Sequence, residues 1–158
     1  MAHGLRRPFA RALRDAFFIY DPEDKANIEV FLATKGLSWN YIVVSRFEWL
    51  LQRVRRVVPP PEQLFSRVSA VLYSYGPLRD STSGIPLFNS RAWDITKNVL
   101  ENIRRGYYSD PPNISLYYPR SKDKYGLQRY KCCRGTNGIE GGVHQNIIRW
   151  FEIGRAHV

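Results

Sequence analysis

Residues 114–151 read ISLYYPRSKDKYGLQRYKCCRGTNGIEGGVHQNIIRWF, the one stretch that mixes strand-like and helix-like patterns. Ile114 to Pro119 and Leu127 to Cys133 have the aromatic and apolar content of short strands, and Lys122 to Gly126 between them predicts a hairpin loop. Thr136 or Asn137 then predicts the cap of a helix running to at least Phe151. Gly138, Gly141 and Gly142 sit at its start, each costing about 1 kcal/mol against alanine in a helix interior. Glycines at that density suit the close approach of another backbone or a nucleic-acid strand.

Upstream, the pattern is helical and is punctuated by proline and glycine. Leu5, Phe9, Leu13, Ala16, Phe17 and Tyr20 recur at helical spacing and predict an amphipathic first helix. Asp21-Pro22-Glu23-Asp24 reads as cap, first-turn proline and first-turn acids of a second helix, which carries Ile28, Phe31 and Leu32 and stops at Gly36. Ser38 to Val58 predicts a mostly helical segment with Arg46, Arg53, Arg55 and Arg56 facing outward, ended by Pro59-Pro60-Pro61. Pro61 opens a further helix that closes at Gly76-Pro77, with Leu64, Phe65, Val68, Val71, Leu72 and Tyr75 inward. After a polar loop, Ser90 predicts the N-cap of a helix to about Arg105, burying Trp93, Val99, Leu100 and Ile103. The expected fold class is mainly α with one β-hairpin near 114–133 and five or six helices around it. Along the chain the expected division is a helical region over 1–113 and a hairpin-plus-helix region over 114–151.

A formal net charge of +10 in 158 residues points to an anionic partner, most often nucleic acid. Arg6, Arg7 and Arg11 on the first helix, and Arg53, Arg55 and Arg56 further on, are the candidate phosphate contacts. As solvated helix faces, they need no such role. Tyr117, Tyr118, Tyr125 and Tyr130 on the hairpin offer rings for base stacking, although cross-strand packing accounts for such tyrosines more often. No run of about 18 apolar residues exists, so no membrane partner is expected. The basic N-terminal stretch lacks the continuous apolar region and cleavage site of a signal peptide, and Asp15 with the large aromatics fits a core helix better than a presequence. Cys132 and Cys133 are adjacent, which implies no disulfide framework and a reducing compartment. With His144 they are too few and too badly spaced for a zinc site, and a Cys133–His144 pair lacks an orienting third group.

The chemistry lies in Arg134-Gly135-Thr136-Asn137-Gly138-Ile139-Glu140-Gly141-Gly142-Val143-His144. Asn137, Glu140 and His144 are at i, i+3 and i+7, hence on one helix face. In the first turn the helix dipole favours an ionised Glu140, and an ionised carboxylate suits Mg²⁺ or Mn²⁺. An ordinary first-turn acid beside a satisfied polar histidine explains the same residues. The Thr136-Asn137-x-x-Glu140 pattern, with a polar residue about four further on and then basic residues, resembles the third-acid segment of Mutator-like transposases and their bacterial relatives. The longer Arg-Gly-Thr-Asn-x-x-Glu-Gly-Gly-Val-His form is similar to a variant in transposase-derived proteins of fungal genomes. A looser likeness runs through His3-Gly4-Leu5, Pro59-Pro60-Pro61-Glu62-Gln63, Tyr75-Gly76-Pro77-Leu78 and Ser109-Asp110-Pro111-Pro112.

The resemblance implies the C-terminal part of a DDE transposase with an α/β RNase H-like fold, residues 5–105 being the helical insertion before the glutamate. Glu140 would be the third catalytic acid and a metal ligand, with Asn137 and His144 as cleft neighbours. DNA would be the substrate, the nucleus the location, and the intact parent, which could be a homo-oligomer, would use Mg²⁺ or Mn²⁺. The Asp-x-Phe-His-like element carrying the second acid is absent, and Asp15, Asp80, Asp94 and Asp110 lie in helical or loop context. Two-ion chemistry needs several carboxylates, so this chain alone is expected to bind no ion and to be inactive. The other reading is a non-enzymatic basic helical nucleic-acid-binding module, a domesticated transposon remnant. The last seven residues, Glu152 to Val158, resemble the translated sequence of a sequencing-library adapter and are expected to be non-native, which excludes His157 as a ligand.

Overall fold

The computed structural model describes residues 3–133 together with Ile147, Arg149 and Phe151. In chain order the elements are α1 (Arg6–Phe17), β1 (Ile19–Tyr20), α2 (Pro22–Thr34), α3 (Trp39–Ser45), α4 (Phe47–Leu51), β2 (Arg56–Val57), α5 (Pro61–Tyr75), α6 (Ser90–Arg104), β3 (Tyr117–Pro119) and β4 (Tyr130–Cys132). The described residues are mainly helical, as expected. Their strands form two two-stranded ladders, β1 with β2 and β3 with β4. The β3–β4 hairpin is antiparallel and lies where the sequence places it, with Tyr117, Tyr118 and Pro119 opposite Cys132, Lys131 and Tyr130.

The chain forms two compact units. The first takes residues up to Ile19, then Val58–Pro111, and also Ile147, Arg149 and Phe151. Its core is built from one apolar stripe per helix: Phe9, Leu13 and Phe17 on α1; Leu64, Val68 and Leu72 on α5; Val99 and Ile103 on α6. The α5 helix packs against both α1 and α6. Ile147 and Phe151 are helical and buried in this core. The Phe151 ring stacks on Phe88 at 4.8 Å and meets Phe9 edge-on at 5.5 Å. Edge-on and offset contacts of this kind add to the area that the rings bury.

The second unit contains residues 20–57 and the hairpin. Ile28, Leu32, Ile42, Leu50 and Val54 form its core, and Phe31, Trp39, Phe47, Trp49 and Leu127 pack around them. Asp21 caps α2 by accepting the Asp24 N–H at 2.9 Å, with Pro22 in the first turn, as the sequence predicts.

Two expectations need correction, and a third gains detail. The segment 38–58 is mostly helical, as expected, but in two pieces. Arg46, at φ −142° and ψ 53°, separates α3 from α4, and the chain is extended by Arg56. Val43, Val44 and Ser45 are poor at prolonging a helix, and the Ser45 hydroxyl donates to the Tyr41 carbonyl at 2.6 Å, which competes with the helical ladder. The cap of α6 is Asn89, whose side chain accepts the Ala92 N–H at 2.8 Å, rather than Ser90. Trp93 is half-buried, not buried.

Gly76 ends α5 with an ordinary helical φ of −53°, so it is not needed for a left-handed turn. It is needed for room: a Cβ there would lie 2.6 Å from the Trp93 ring and 2.7 Å from the Phe88 ring. Gly76→Ala should therefore destabilise the protein by about 1–3 kcal/mol through overpacking. Urea denaturation checks this. An unchanged or raised midpoint would show that the Phe88–Trp93 packing yields without cost.

Candidate nucleic-acid interface

The α1 helix carries four arginines in twelve residues. Its helical period turns Phe9, Leu13, Ala16 and Phe17 into the core and sets Arg7, Arg11 and Arg14 on the opposite side, with Arg6 at the N-terminal turn. Arg6, Arg7 and Arg11 are exposed, whereas Arg14 is half-buried with its Nε 3.3 Å from Asp15. No acid lies in the first turn and no side chain caps it. Cations there oppose the helix dipole, an arrangement that a bound anion relieves.

The second arginine group is placed differently from expectation. Arg53 and Arg56 are buried, at 8% and 1% exposure, and Arg55 is half-buried. The Arg53 Nε donates to Asp123 Oδ2 at 2.9 Å and its Nη1 to the Trp49 carbonyl at 2.9 Å. Arg55 grips Asp24 through Nε at 2.8 Å and Nη2 at 3.0 Å, and its backbone N–H donates to the same carboxylate at 3.0 Å. The Arg56 guanidinium lies 5.7 Å from the Phe47 ring centre, and its backbone N–H donates to the Tyr117 hydroxyl at 3.1 Å. These three arginines build the second unit instead of forming an outward basic face. Three positions so close together must include more than one side of the chain, and β2 follows α4 closely enough to turn them inward. The partner acids lie 31 and 70 residues away in sequence, beyond the reach of local patterns.

Charge and burial tune this cluster. The hydrogen bond to Asp24 holds the Arg55 guanidinium in its charged form more firmly than usual, against the opposing effect of burial. Burial alone would raise the Asp123 carboxyl. The Leu127 N–H, the Arg53 guanidinium and the Tyr125 N–H outweigh it and hold this carboxyl below the usual range. Burial, and then the nearby Asp24 charge, push the Tyr130 hydroxyl up.

On the hairpin, the tyrosines divide into two pairs. Tyr117 and Tyr130 meet edge-on at 6.4 Å, as packing partners. Tyr118 and Tyr125 are exposed, at 44% and 49%. The other acids considered in the sequence also have structural surroundings. Asp80 accepts the Thr82 and Gly4 N–H groups, which lower its pKa, and Asp110 accepts the Val58 N–H at 2.8 Å. Asp15 and Asp94 lie within α1 and α6.

Asn137, Glu140 and His144 lie outside the described residues, as do the glycines around them and residues 152–158. Among the described residues, no group of three His, Cys, Asp or Glu side chains is placed to hold a metal ion. No described helix is long and apolar enough to cross a membrane. No protein-family model, curated protein or solved structure matches this chain. The transposase resemblance therefore rests on the residues of the motif.

The Arg53–Asp123 pair has a testable pH signature. The folded pKa of Asp123 lies below its unfolded value of about 3.9, so its stabilisation is complete above that value and is lost as pH falls through the folded pKa. Asp123→Asn should cost about 3 kcal/mol at neutral pH, because Arg53 stays buried without its counter-charge. Denaturation curves at successively lower pH should show the gap to the unmodified protein closing below about pH 4. A gap independent of pH would mean that packing, not charge, accounts for the loss.

Proposed function

We propose that this chain is a DNA-binding part of a DDE transposase in which Glu140 is the third catalytic acid and Asn137 and His144 are its neighbours in the cleft. The observation that carries the reading is the contact of Phe9 with Phe151 at 5.5 Å. It joins the arginine-bearing α1 to the segment that follows the Thr-Asn-x-x-Glu motif. Phe151 is eleven residues beyond Glu140, and Ile147, seven beyond it, is buried in the same core. DNA bound along Arg6, Arg7 and Arg11 would thus be held by the unit that anchors this segment.

On this reading the other two acids come from residues outside the present sequence, and the chain alone binds DNA without cutting it. A divalent ion would reach the site only with those acids present, as Mg²⁺ or Mn²⁺, and the location that follows is the nucleus. A non-enzymatic nucleic-acid-binding module is the second reading, favoured by the exposure of Arg6, Arg7 and Arg11, which need no acid in order to bind phosphate.

Duplex DNA binding by the purified chain should weaken steeply with salt, since each neutralised phosphate adds about 0.9 to the slope of log affinity against log salt. Changing Arg6, Arg7 and Arg11 together to Gln should lower that slope by about 2–3. Absence of duplex binding at low salt would overturn both readings. Glu140→Gln should leave binding by the chain unchanged. In a longer protein supplying the two further acids, the same change should abolish strand cleavage. Undiminished cleavage there would leave only the binding module.

A further inference from the structure

The outer face of the hairpin is a second basic surface. Five bases (Arg120, Lys122, Lys124, Arg129 and Lys131) lie between residues 114 and 133 against one acid, Asp123, giving 5 − 1 = +4. The acid is already paired with Arg53. Register places Tyr118 opposite Lys131, and the Arg120 N–H bonded to the Arg129 carbonyl at 2.8 Å extends the ladder by one pair. Alternation then puts Tyr118, Arg120, Arg129 and Lys131 on one face, opposite the side that holds Tyr117 and the buried Cys132. Like charges directly across a ladder destabilise it. Arg129 is turned onto Ser121, donating to its carbonyl at 2.9 Å and its hydroxyl at 2.7 Å. Among the described residues, Arg120, Lys122 and Lys131 make no ion pair.

The loop of the hairpin adds an aromatic platform. The half-exposed Tyr125 ring lies 5.1 Å from Phe31, which is stacked on Trp49 at 6.1 Å. Lys35 and Lys124 place their ammonium groups 5.3 Å and 5.1 Å from the Tyr125 ring centre. The two ammonium groups lie over this ring on flexible stems, so an unpaired base can take their place on the ring as they move to the phosphates beside it.

We infer that the outer face of the β3–β4 hairpin binds single-stranded DNA, with Tyr118 and Tyr125 stacking on unpaired bases and Arg120, Lys122 and Lys131 meeting the phosphates. This deepens the DNA-binding reading above and rests on it. A single strand is the occupant because its bases have free faces for the two rings, whereas those of a duplex are already stacked on one another. The two sets of residues belong to different units and have no member in common, so each can be substituted independently.

The test measures binding of a thymidine homo-oligomer and of a short duplex to the full chain by fluorescence anisotropy. Tyr118→Ala with Tyr125→Ala should weaken oligomer binding on the order of tenfold or more and duplex binding less than twofold. The corresponding Phe substitutions should preserve oligomer binding. Arg120→Gln with Lys131→Gln should lower the salt slope for the oligomer by about 1.4. Circular dichroism and melting confirm that each variant is folded, and the Phe and Gln variants keep the test open should the Ala variant unfold. Equal losses for oligomer and duplex, or no loss for either, would overturn the inference. Duplex binding without oligomer binding would overturn it while leaving the α1 surface intact. Absence of both would overturn the proposed function as well.

Discussion

The second unit depends on burying cations. Between Arg53 and Arg56 the chain buries two arginines and half-buries Arg55, and Arg53 and Arg55 find carboxylates from distant segments, Asp123 in the hairpin loop and Asp24 at the start of α2. A buried guanidinium is tolerable only when its charge is matched and its N–H groups have acceptors. The two pairs therefore specify more than they stabilise. Arg55 fixes where β2 runs relative to α2, and Arg53 fixes where the hairpin loop docks. Two further bonds support the same arrangement: Tyr130 donates its N–H to the Gln52 carbonyl at 2.7 Å, and Arg56 donates its N–H to the Tyr117 hydroxyl. Among the described residues the core of this unit is small, five buried aliphatic side chains with aromatics around them, so directional contacts decide the register.

That arrangement changes the meaning of the net charge of +10. Acids and arginines drawn into pairs cancel one another and leave the excess charge to the rest of the chain. Asp24 and Asp123 face inward, and Asp80 and Asp110 bond to backbone N–H groups. The excess of positive charge is left to residues such as Arg6, Arg7 and Arg11 on α1 and Arg120, Lys122 and Lys131 on the hairpin. Where the exposed cations stand is set by these pairings, and the bulk charge alone does not give that.

The sequence was legible wherever one element sufficed to explain its own residues. The stripe Phe9, Leu13, Ala16 and Phe17 defines α1, Asp21-Pro22 starts α2, Pro61 and Gly76 bracket α5, and the glycine-tipped run around Lys122 to Gly126 marks the hairpin. All of these are local signals. Legibility failed where a distant partner decided the outcome. Arg53, Arg55 and Arg56 look like a solvated face because nothing nearby reveals that Asp24 and Asp123 come to meet them. The break at Arg46 was hidden because the apolar spacing of Trp39, Phe47, Leu50 and Val54 continues across it. The tyrosines of the hairpin were ambiguous for the same reason: alternation separates Tyr117 from Tyr118, but only the docking of the hairpin tells which of the two is covered.

The inward turn at Arg53 to Arg56 also restricts which substitutions can report on nucleic-acid binding. Removing these three charges together would leave Asp24 and Asp123 buried without partners, and unpaired buried charges cost several kcal/mol each. A loss of binding in such a protein would report unfolding. Arg6, Arg7 and Arg11 differ, because α1 owes its place to Phe9, Leu13 and Phe17 and its arginines are on the solvent side. Their removal takes charge from the surface and leaves the packing alone. At the N-terminal turn it even relieves the unfavourable meeting of Arg6 and Arg7 with the helix dipole, so the folded state should be retained.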